Sequence, residues 1–404
     1  MPVFQSAGAS VTGLALNSWE FLLIAAVAIA ICCLVENLRI RNAALLAVNI
    51  YVLLAFVKNA ASFLVLAAFL LIVYAIGLWR KSLGRNFPAS THFAIVGGLW
   101  AFLFLVRDGN LLAPVNPFHY MPVYIVGISY MVFRCISYVM EVEFIETPSF
   151  LRFCVYVLFF PGLLAGPIER YRAFETQLAA PKFDPALVMP ALQRIANGLI
   201  KKFVIADNLS VFGVFSFDHA AAVSTPMLWI GTLAQLWLIY LDFSGYCDIM
   251  IGIAALMGFR LIENFNRPFS STTIQEFWNR WHISLSTLVK DYIFTPINMV
   301  IIKNSPRDRQ FTLITAVYFF SMILIGLWHG MTWGFVAFGT IHGAALVASQ
   351  FVKKPKRTAV AMSWYETRLR QFCVYAFVSI TLILWLKSAG EWGKIYGKLL
   401  GIGK

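Results

Sequence analysis

Charge is what this chain has least of. Asp, Glu, Lys and Arg make up 13% of its 404 residues against 60% hydrophobic residues, where a soluble domain carries roughly 25% charge. It lacks the polar surface to clothe itself in water, which excludes the two or three soluble domains its length would otherwise allow. The six cysteines (Cys32, Cys33, Cys135, Cys154, Cys247, Cys373) include no CxxC, and no HxxxH or HExxH spacing occurs, so no metal site is expected. The adjacent Cys32 and Cys33 read as helix packing rather than a disulfide. No GxSxG is present, which removes the nucleophile elbow of hydrolases. No internal repeat of the kind that marks many transporters is visible. The first residues offer no basic segment with a small-residue cleavage site, so a cleaved signal peptide is not expected. The net charge of +13 does not point to nucleic acid: the basic residues fall largely between apolar runs, which suits loops facing anionic lipid headgroups and the cytoplasm.

What is abundant is apolar sequence of spanning length, about 20 residues per helix. Such runs lie near 19–35, 42–57, 61–79, 92–107, 119–140, 150–166, 226–257, 311–329, 332–352 and 371–387, with a less clear segment near 190–215. The expected fold is therefore an all-α polytopic membrane protein, one integral membrane domain over residues 1–404, with about ten or eleven spanning helices. Arg39 and Arg41 follow the first run and Arg80, Lys81 and Arg85 the third, against only Lys58 after the second. The positive-inside rule then places the ends of helices one and three, and the cluster Lys353, Lys354, Lys356 and Arg357, in the cytoplasm. Two stretches break the pattern: "PGLLAGPIERYRAF" from Pro161, and the mixed segment of about 259–310. Irregular backbone at membrane depth survives only where protein buries it or it lines a wet cavity, so both are expected to be re-entrant or interfacial walls of a central chamber.

Two histidines sit in apolar, tryptophan-bearing runs: His282 in "FWNRWHISLS" and His329 in "LIGLWHGMTW". A titratable imidazole at membrane depth is a functional hypothesis by default. On a continuous helix His282 shares a face with Trp278 and Ser286, a combination suited to a polar pocket; a Trp/Arg-rich interfacial helix with a snorkelling His is the alternative. No charged residue occurs near His329, and Gly326 and Gly330 flank it four apart, with Trp333 at i+4. Such surroundings favour neutral imidazole, the form a general base needs; a core His bonded to a carbonyl is the alternative. His342 repeats the His-Gly pair, while His92, His119 and His219 stand near segment ends and look structural or interfacial. Asp242 and Asp248 lie in the apolar run "LIYLDFSGYCDIMIGIAALMGF" and need partners, expected among Arg or His residues of neighbouring segments. As a proton relay they would serve a proton-coupled transporter or flippase, the reading that competes with an enzyme.

Four blocks, in this order, resemble the bacterial branch of the membrane-bound O-acyltransferase (MBOAT) superfamily: "FFPGLLAGPIERYRAF", "YLDFSGYCDIMIGIAALMGFRLIENFNRPF", "EFWNRWHISLSTLVKDYIF" and "GLWHGMTWGFVAFGTIHG". The phrases "GPIERYRAF", "GISYMVFR" and "TPINMVIIKNSPRDRQ" look more like the DltB-like group, which moves D-alanine, than the AlgI/PatA-like acetyl-transfer group. The resemblance implies helices around a funnel or tunnel, in the bacterial cytoplasmic (inner) membrane. The two family histidines correspond to His282 and His329, the second being the one usually given the catalytic role. It further implies an acyl thioester donor on the phosphopantetheine arm of an acyl carrier protein. The acceptor is then an extracytoplasmic hydroxyl, on a polysaccharide or teichoic-acid-like polymer or on an SGNH/DltD-like relay protein. His329 is expected to take the acceptor proton. Trp281, Trp328 or a backbone N–H near Gly330 would hold the oxyanion, and His282 and Ser286 the donor. Arg170, Arg172 and Lys290 would meet the phosphate of the arm or acidic carrier residues, with lipid headgroups as their alternative, and Asp242 completes the candidate set.

Overall fold

A computed structural model describes residues 14–57, 59–84, 87–107, 125–179, 183–210, 220, 222–351 and 363–402. Among them every regular element is helical, apart from two isolated bridges, Val57 with Ile125 and Phe265 with Trp281. In chain order the helices are α1 (Trp19–Leu34), α2 (Leu38–Leu54), α3 (Ala60–Leu83), α4 (Ala89–Arg107), α5 (Ile128–Glu141), α6 (Phe150–Leu158), α7 (Tyr171–Ala179), α8 (Val188–Leu199), α9 (Thr225–Leu256) and α10 (Ile274–Arg280). There follow α11 (Ile283–Val289), α12 (Thr295–Asn304), α13 (Arg307–His329), α14 (Trp333–Phe351), α15 (Trp364–Thr381), α16 (Ile383–Leu386) and α17 (Ala389–Leu399).

The polytopic membrane class stands. Seven helical runs among the described residues are long and apolar enough to cross a bilayer: α3, α4, α9, Ile283–Asn304, α13, α14 and Trp364–Leu386. The count falls below the expected one because other apolar stretches form shorter helices. The stretch at 150–166 gives a helix of only 9 residues, which rises ~14 Å, about half a bilayer core. It stops at Phe160–Gly162, where Pro161 has no N–H to carry the helix on. The segment 283–304, expected to be re-entrant or interfacial, is instead of spanning length, α11 running into α12 through a π-helical turn at Lys290–Phe294. Lys58, Arg85, His119, His219 and the cluster Lys353, Lys354, Lys356 and Arg357 lie outside the described residues.

Two compact units can be distinguished, with α9 contributing to both. The first comprises the chain up to Leu199 together with Tyr246–Ile262. Asn37 and Asn59 cap α2 and α3, their side-chain oxygens accepting the first free N–H groups. The core is aromatic: Tyr138 packs on Phe153 (4.3 Å between ring centres) and Tyr171 (4.9 Å), and Phe174 stacks on Phe259 (5.1 Å). Fully buried Arg134 donates through Nη1 to the carbonyls of Val157 (2.8 Å) and Phe159 (3.3 Å), satisfying the open end of α6. Glu169 accepts from the Ile262 N–H and Arg194 pairs with Asp248 at 3.0 Å.

The second unit comprises Ile200–Gly245 and Glu263–Lys404. Its densest contact is the hairpin of α13 and α14. A Cβ on Gly326 would stand 2.3 Å from the Phe335 carbonyl oxygen, and one on Gly339 2.6 Å from that of Met322. Small residues thus let the two backbones approach, as van der Waals packing of helices in lipid requires. At Gly326 the close approach is made by the backbone of the neighbouring helix.

Candidate functional site

The backbone that presents His282 is not helical. Helix α10 ends at Arg280, and the chain then pairs with the segment before it: Asn266 N–H donates to the Arg280 carbonyl and Ile283 N–H to the Asn264 carbonyl, both at 3.0 Å. His282 takes a left-handed conformation (φ 45°, ψ 52°) and becomes the N-cap of α11, its carbonyl accepting from the N–H groups of Leu285 (3.1 Å) and Ser286 (3.0 Å). Such a conformation is uncommon for a residue with a side chain and persists only where surroundings impose it. Asn264 supplies the clamp, its side-chain oxygen accepting from the Ser284 N–H (3.2 Å) and hydroxyl (2.6 Å). The expected helical face of Trp278, His282 and Ser286 is thus overturned. The Ser286 hydroxyl donates to the Trp281 carbonyl at 3.4 Å.

The His282 ring is buried between Phe243 (4.9 Å between centres) and Trp328 (5.7 Å). Neither ring nitrogen has a hydrogen-bond partner among the described residues. Burial pushes its pKa down to about 3, so the ring is neutral at physiological pH. A neutral imidazole with both nitrogens uncommitted can accept a proton at one and donate from the other.

His329 is the last residue of α13, not a mid-helix residue. The helix breaks there, so Trp333 does not share its face; Trp333 opens α14 and is 67% exposed. The half-buried His329 ring instead meets Trp328 (4.6 Å), Trp385 (4.3 Å) and Phe335 (6.3 Å). Trp328 is consequently a ring neighbour of both histidines, His282 and His329. Trp385, absent from the sequence reading, is the residue that completes the surround of His329; a lone tryptophan in a distant apolar run carries no local signal.

His342 resembles His329 in sequence and differs in its ring neighbours, Trp278, Phe338 and Phe377. Fully buried, it accepts at Nδ1 from the Trp278 indole N–H (3.3 Å), which leaves Nε2–H to donate to the Thr381 hydroxyl (2.8 Å). Thr381 passes its own proton to the Val378 carbonyl (2.9 Å). Both nitrogens are occupied, and His342 is structural.

The other candidates disperse. Trp281 is buried in an aromatic stack, parallel to Phe277 (5.4 Å) and perpendicular to Phe265 (5.1 Å). Lys290 is exposed at the π-helical turn. Asp242 pairs with Lys202 and Asp248 with Arg194, so each intramembrane carboxylate has a cation of its own, and the partner of Asp242 is Lys rather than the expected Arg or His. In the other unit, exposed Arg172 lies over the Phe144 ring (5.1 Å), its backbone N–H donating to Glu141 (2.8 Å). Half-buried Arg170 lowers the cost of charge on its neighbour Glu169. Burial nonetheless pushes Glu169 up to about 7.

Fold and site together define a polytopic helical membrane protein with a pair of histidines that share one tryptophan neighbour. The sequence pattern of the MBOAT, membrane-bound O-acyltransferase family matches residues 116–385, and the chain belongs to that family. It is similar to a probable alginate O-acetylase AlgI of Pseudomonas fluorescens, 35% identical over 296 residues, or 70% of this chain and 57% of that protein. A peptidoglycan O-acetyltransferase of Helicobacter pylori is 36% identical over 207 residues (50% of this chain, 38% of that protein). A teichoic acid D-alanyltransferase of Bacillus subtilis is 29% identical over 305 residues (72% and 76%). The chain spans about half the length of the alginate O-acetylases it matches. Proteins named for acetyl transfer and for D-alanyl transfer both match, the B. subtilis D-alanyltransferase over the larger share of its length.

Proposed function

We propose that this protein is a membrane-embedded O-acyltransferase that moves an acetyl or D-alanyl group from a carrier-protein thioester to an extracytoplasmic hydroxyl of the cell envelope. The observation that carries the reading is that His282 and His329 both neighbour Trp328, 5.7 and 4.6 Å from its centre. Family membership supports the reaction class. The acceptor hydroxyl attacks the thioester carbonyl carbon while His329 takes its proton. A C–O bond forms, the C–S bond breaks, and the proton passes to the departing thiolate. General-base assistance of this kind contributes about 10²–10⁴-fold. His282, neutral and uncommitted at both nitrogens, orients donor or acceptor beside it.

The donor is the phosphopantetheine thioester of an acyl carrier protein, an arm long and thin enough for a narrow passage. The acceptor is a polysaccharide or teichoic-acid-like polymer, or the serine of an SGNH/DltD-like relay protein, and the membrane is the bacterial inner membrane. Arg170, Arg172 and Lys290 are basic groups suited to the phosphate of the arm or to acidic carrier residues. The test is loss of radiolabel from acyl-carrier protein in vesicles holding wild type or His329→Ala at matched abundance. Label lost with wild type alone supports the assignment. Equal loss with both variants removes His329 from the chemistry, and no loss with either, across several acyl groups, removes the thioester donor.

A further inference from the structure

An oxyanion needs a donor, and several N–H groups of this unit are already taken. The Gly330 N–H donates to the Gly326 carbonyl at 3.3 Å. The indole N–H groups of Trp278, Trp229 and Trp392 are committed to His342, to the Leu399 carbonyl (3.1 Å) and to the Lys387 carbonyl (2.9 Å). Trp385 differs. Its indole nitrogen is buried and has no hydrogen-bond partner among the described residues, a costly state that native structures rarely leave without a use. The ring centre is 4.3 Å from that of His329, so the indole packs directly against the ring of the proposed base.

The fold holds that ring deliberately. Leu382 ends the long helix α15, and Trp385 sits on the single turn of α16 that follows, its backbone N–H donating to the Leu382 carbonyl at 2.9 Å. Phe338 (4.7 Å) and Phe335 (5.4 Å) brace the indole. Gly334 makes room for the turn: a Cβ there would stand 2.0 Å from the Leu384 carbonyl oxygen. Backbone and rings thus fix a neutral N–H donor beside the histidine that is to take the proton.

We propose that the Trp385 indole N–H binds the carbonyl oxygen of the acyl thioester and holds the oxyanion that forms there, an inference that rests on the acyl-transfer reading of this site. As the acceptor oxygen bonds to the carbonyl carbon, the carbonyl π pair moves onto its oxygen and His329 takes the hydroxyl proton. As the C=O bond re-forms, the C–S bond breaks and the thiolate takes that proton from His329. Trp385 donates throughout and gives up no proton. An indole does not titrate in the physiological range, so this donor is available at every pH at which the base is. Removing one preorganised donor of this kind costs about 10²–10³ in kcat.

The test replaces the N–H and keeps the ring. Trp385 is exchanged for 3-benzothienylalanine, whose sulfur stands where the indole N–H was, and separately for Phe, and each protein is reconstituted with acyl-carrier protein as donor. The expected result is a fall in kcat of about 10²-fold or more in both, with KM for the carrier thioester within about twofold. Unchanged thermal unfolding of the benzothienyl protein separates this from a packing role. Wild-type kcat in the benzothienyl protein overturns the donor assignment alone, as does a rise in KM with kcat unmoved. A folded wild type inert toward every carrier thioester tried overturns the acyl-transfer reading and the assignment with it.

Discussion

The ion pair of Lys202 and Asp242 offers a direct test of whether intramembrane charge here is structural or catalytic. Lys202 sits on the π-helical turn Ile200–Ala206 and Asp242 on α9, with 4% and 13% of their side chains exposed. At an effective dielectric constant of about 20, opposite charges ~4 Å apart attract by about 4 kcal/mol. Desolvation costs several kcal/mol for each ion, so the pair roughly cancels, whereas removing one member strands the other charge at about 3–5 kcal/mol. Lys202→Met and Asp242→Leu should each destabilise by that amount, and the double variant should return to within about 1 kcal/mol of wild type. Unfolding in mixed micelles titrated with a denaturing detergent measures the stabilities, and transfer per folded molecule measures function. The double variant should keep transfer within about twofold of wild type, since the two charges are engaged with each other. A double variant no more stable than the worse single one would refute the energetic argument. A stable but inactive double variant would return Asp242 to the chemistry, as a donor-binding group or a proton relay.

Three further outcomes are expected. Gly334→Ala places a methyl 2.0 Å from the Leu384 carbonyl oxygen; it should cost about 1–3 kcal/mol by overpacking and lower transfer as well, because the turn carrying Trp385 must move. His342→Ala leaves the Trp278 N–H and the Thr381 hydroxyl without their partner. It should lose roughly 3 kcal/mol of stability with transfer per folded molecule unchanged; a loss of rate at full stability would make His342 more than structural. Stability should also depend on pH through two groups of opposite sign. Glu169 is pushed up to about 7 by burial, above its unfolded value near 4.3. The native state therefore binds the extra proton, and stability falls by roughly 3 kcal/mol as pH rises from about 4.5 to about 7. His282, pushed down to about 3, is protonated first in the unfolded chain, so its contribution falls as pH drops from about 6.5 towards 3. Unfolding followed against pH in Glu169→Gln and His282→Gln should each lose its own limb and keep the other.

The membrane class was legible because transfer into a bilayer is close to a sum over residues, and a window of some twenty apolar residues reports it without knowledge of neighbours. The two histidines stood out for the same reason, as costly groups in cheap surroundings. The local geometry around them was not legible. Reading Trp278, His282 and Ser286, or His329 and Trp333, at i+4 assumes an unbroken helix, and the helix breaks at both places. The left-handed turn of His282 is imposed by hydrogen bonds to Asn264 and Asn266, a segment some way upstream.

His329 and His342 carry the same His-Gly pair, and in the sequence it is the tryptophan-bearing run around His329 that sets it apart. Trp278 and Thr381 close off one of them, and Trp328 and Trp385 surround the other. Lys202 and Asp242 are 40 residues apart, and nothing near either names its partner. Composition and hydropathy by themselves determined that this chain is a helical membrane protein bearing two costly imidazoles, because those energies belong to single residues. Which nitrogens stay uncommitted, which charges neutralise each other and which indole stands beside His329 were decided only by the tertiary structure, because those energies belong to pairs that the backbone path brings together.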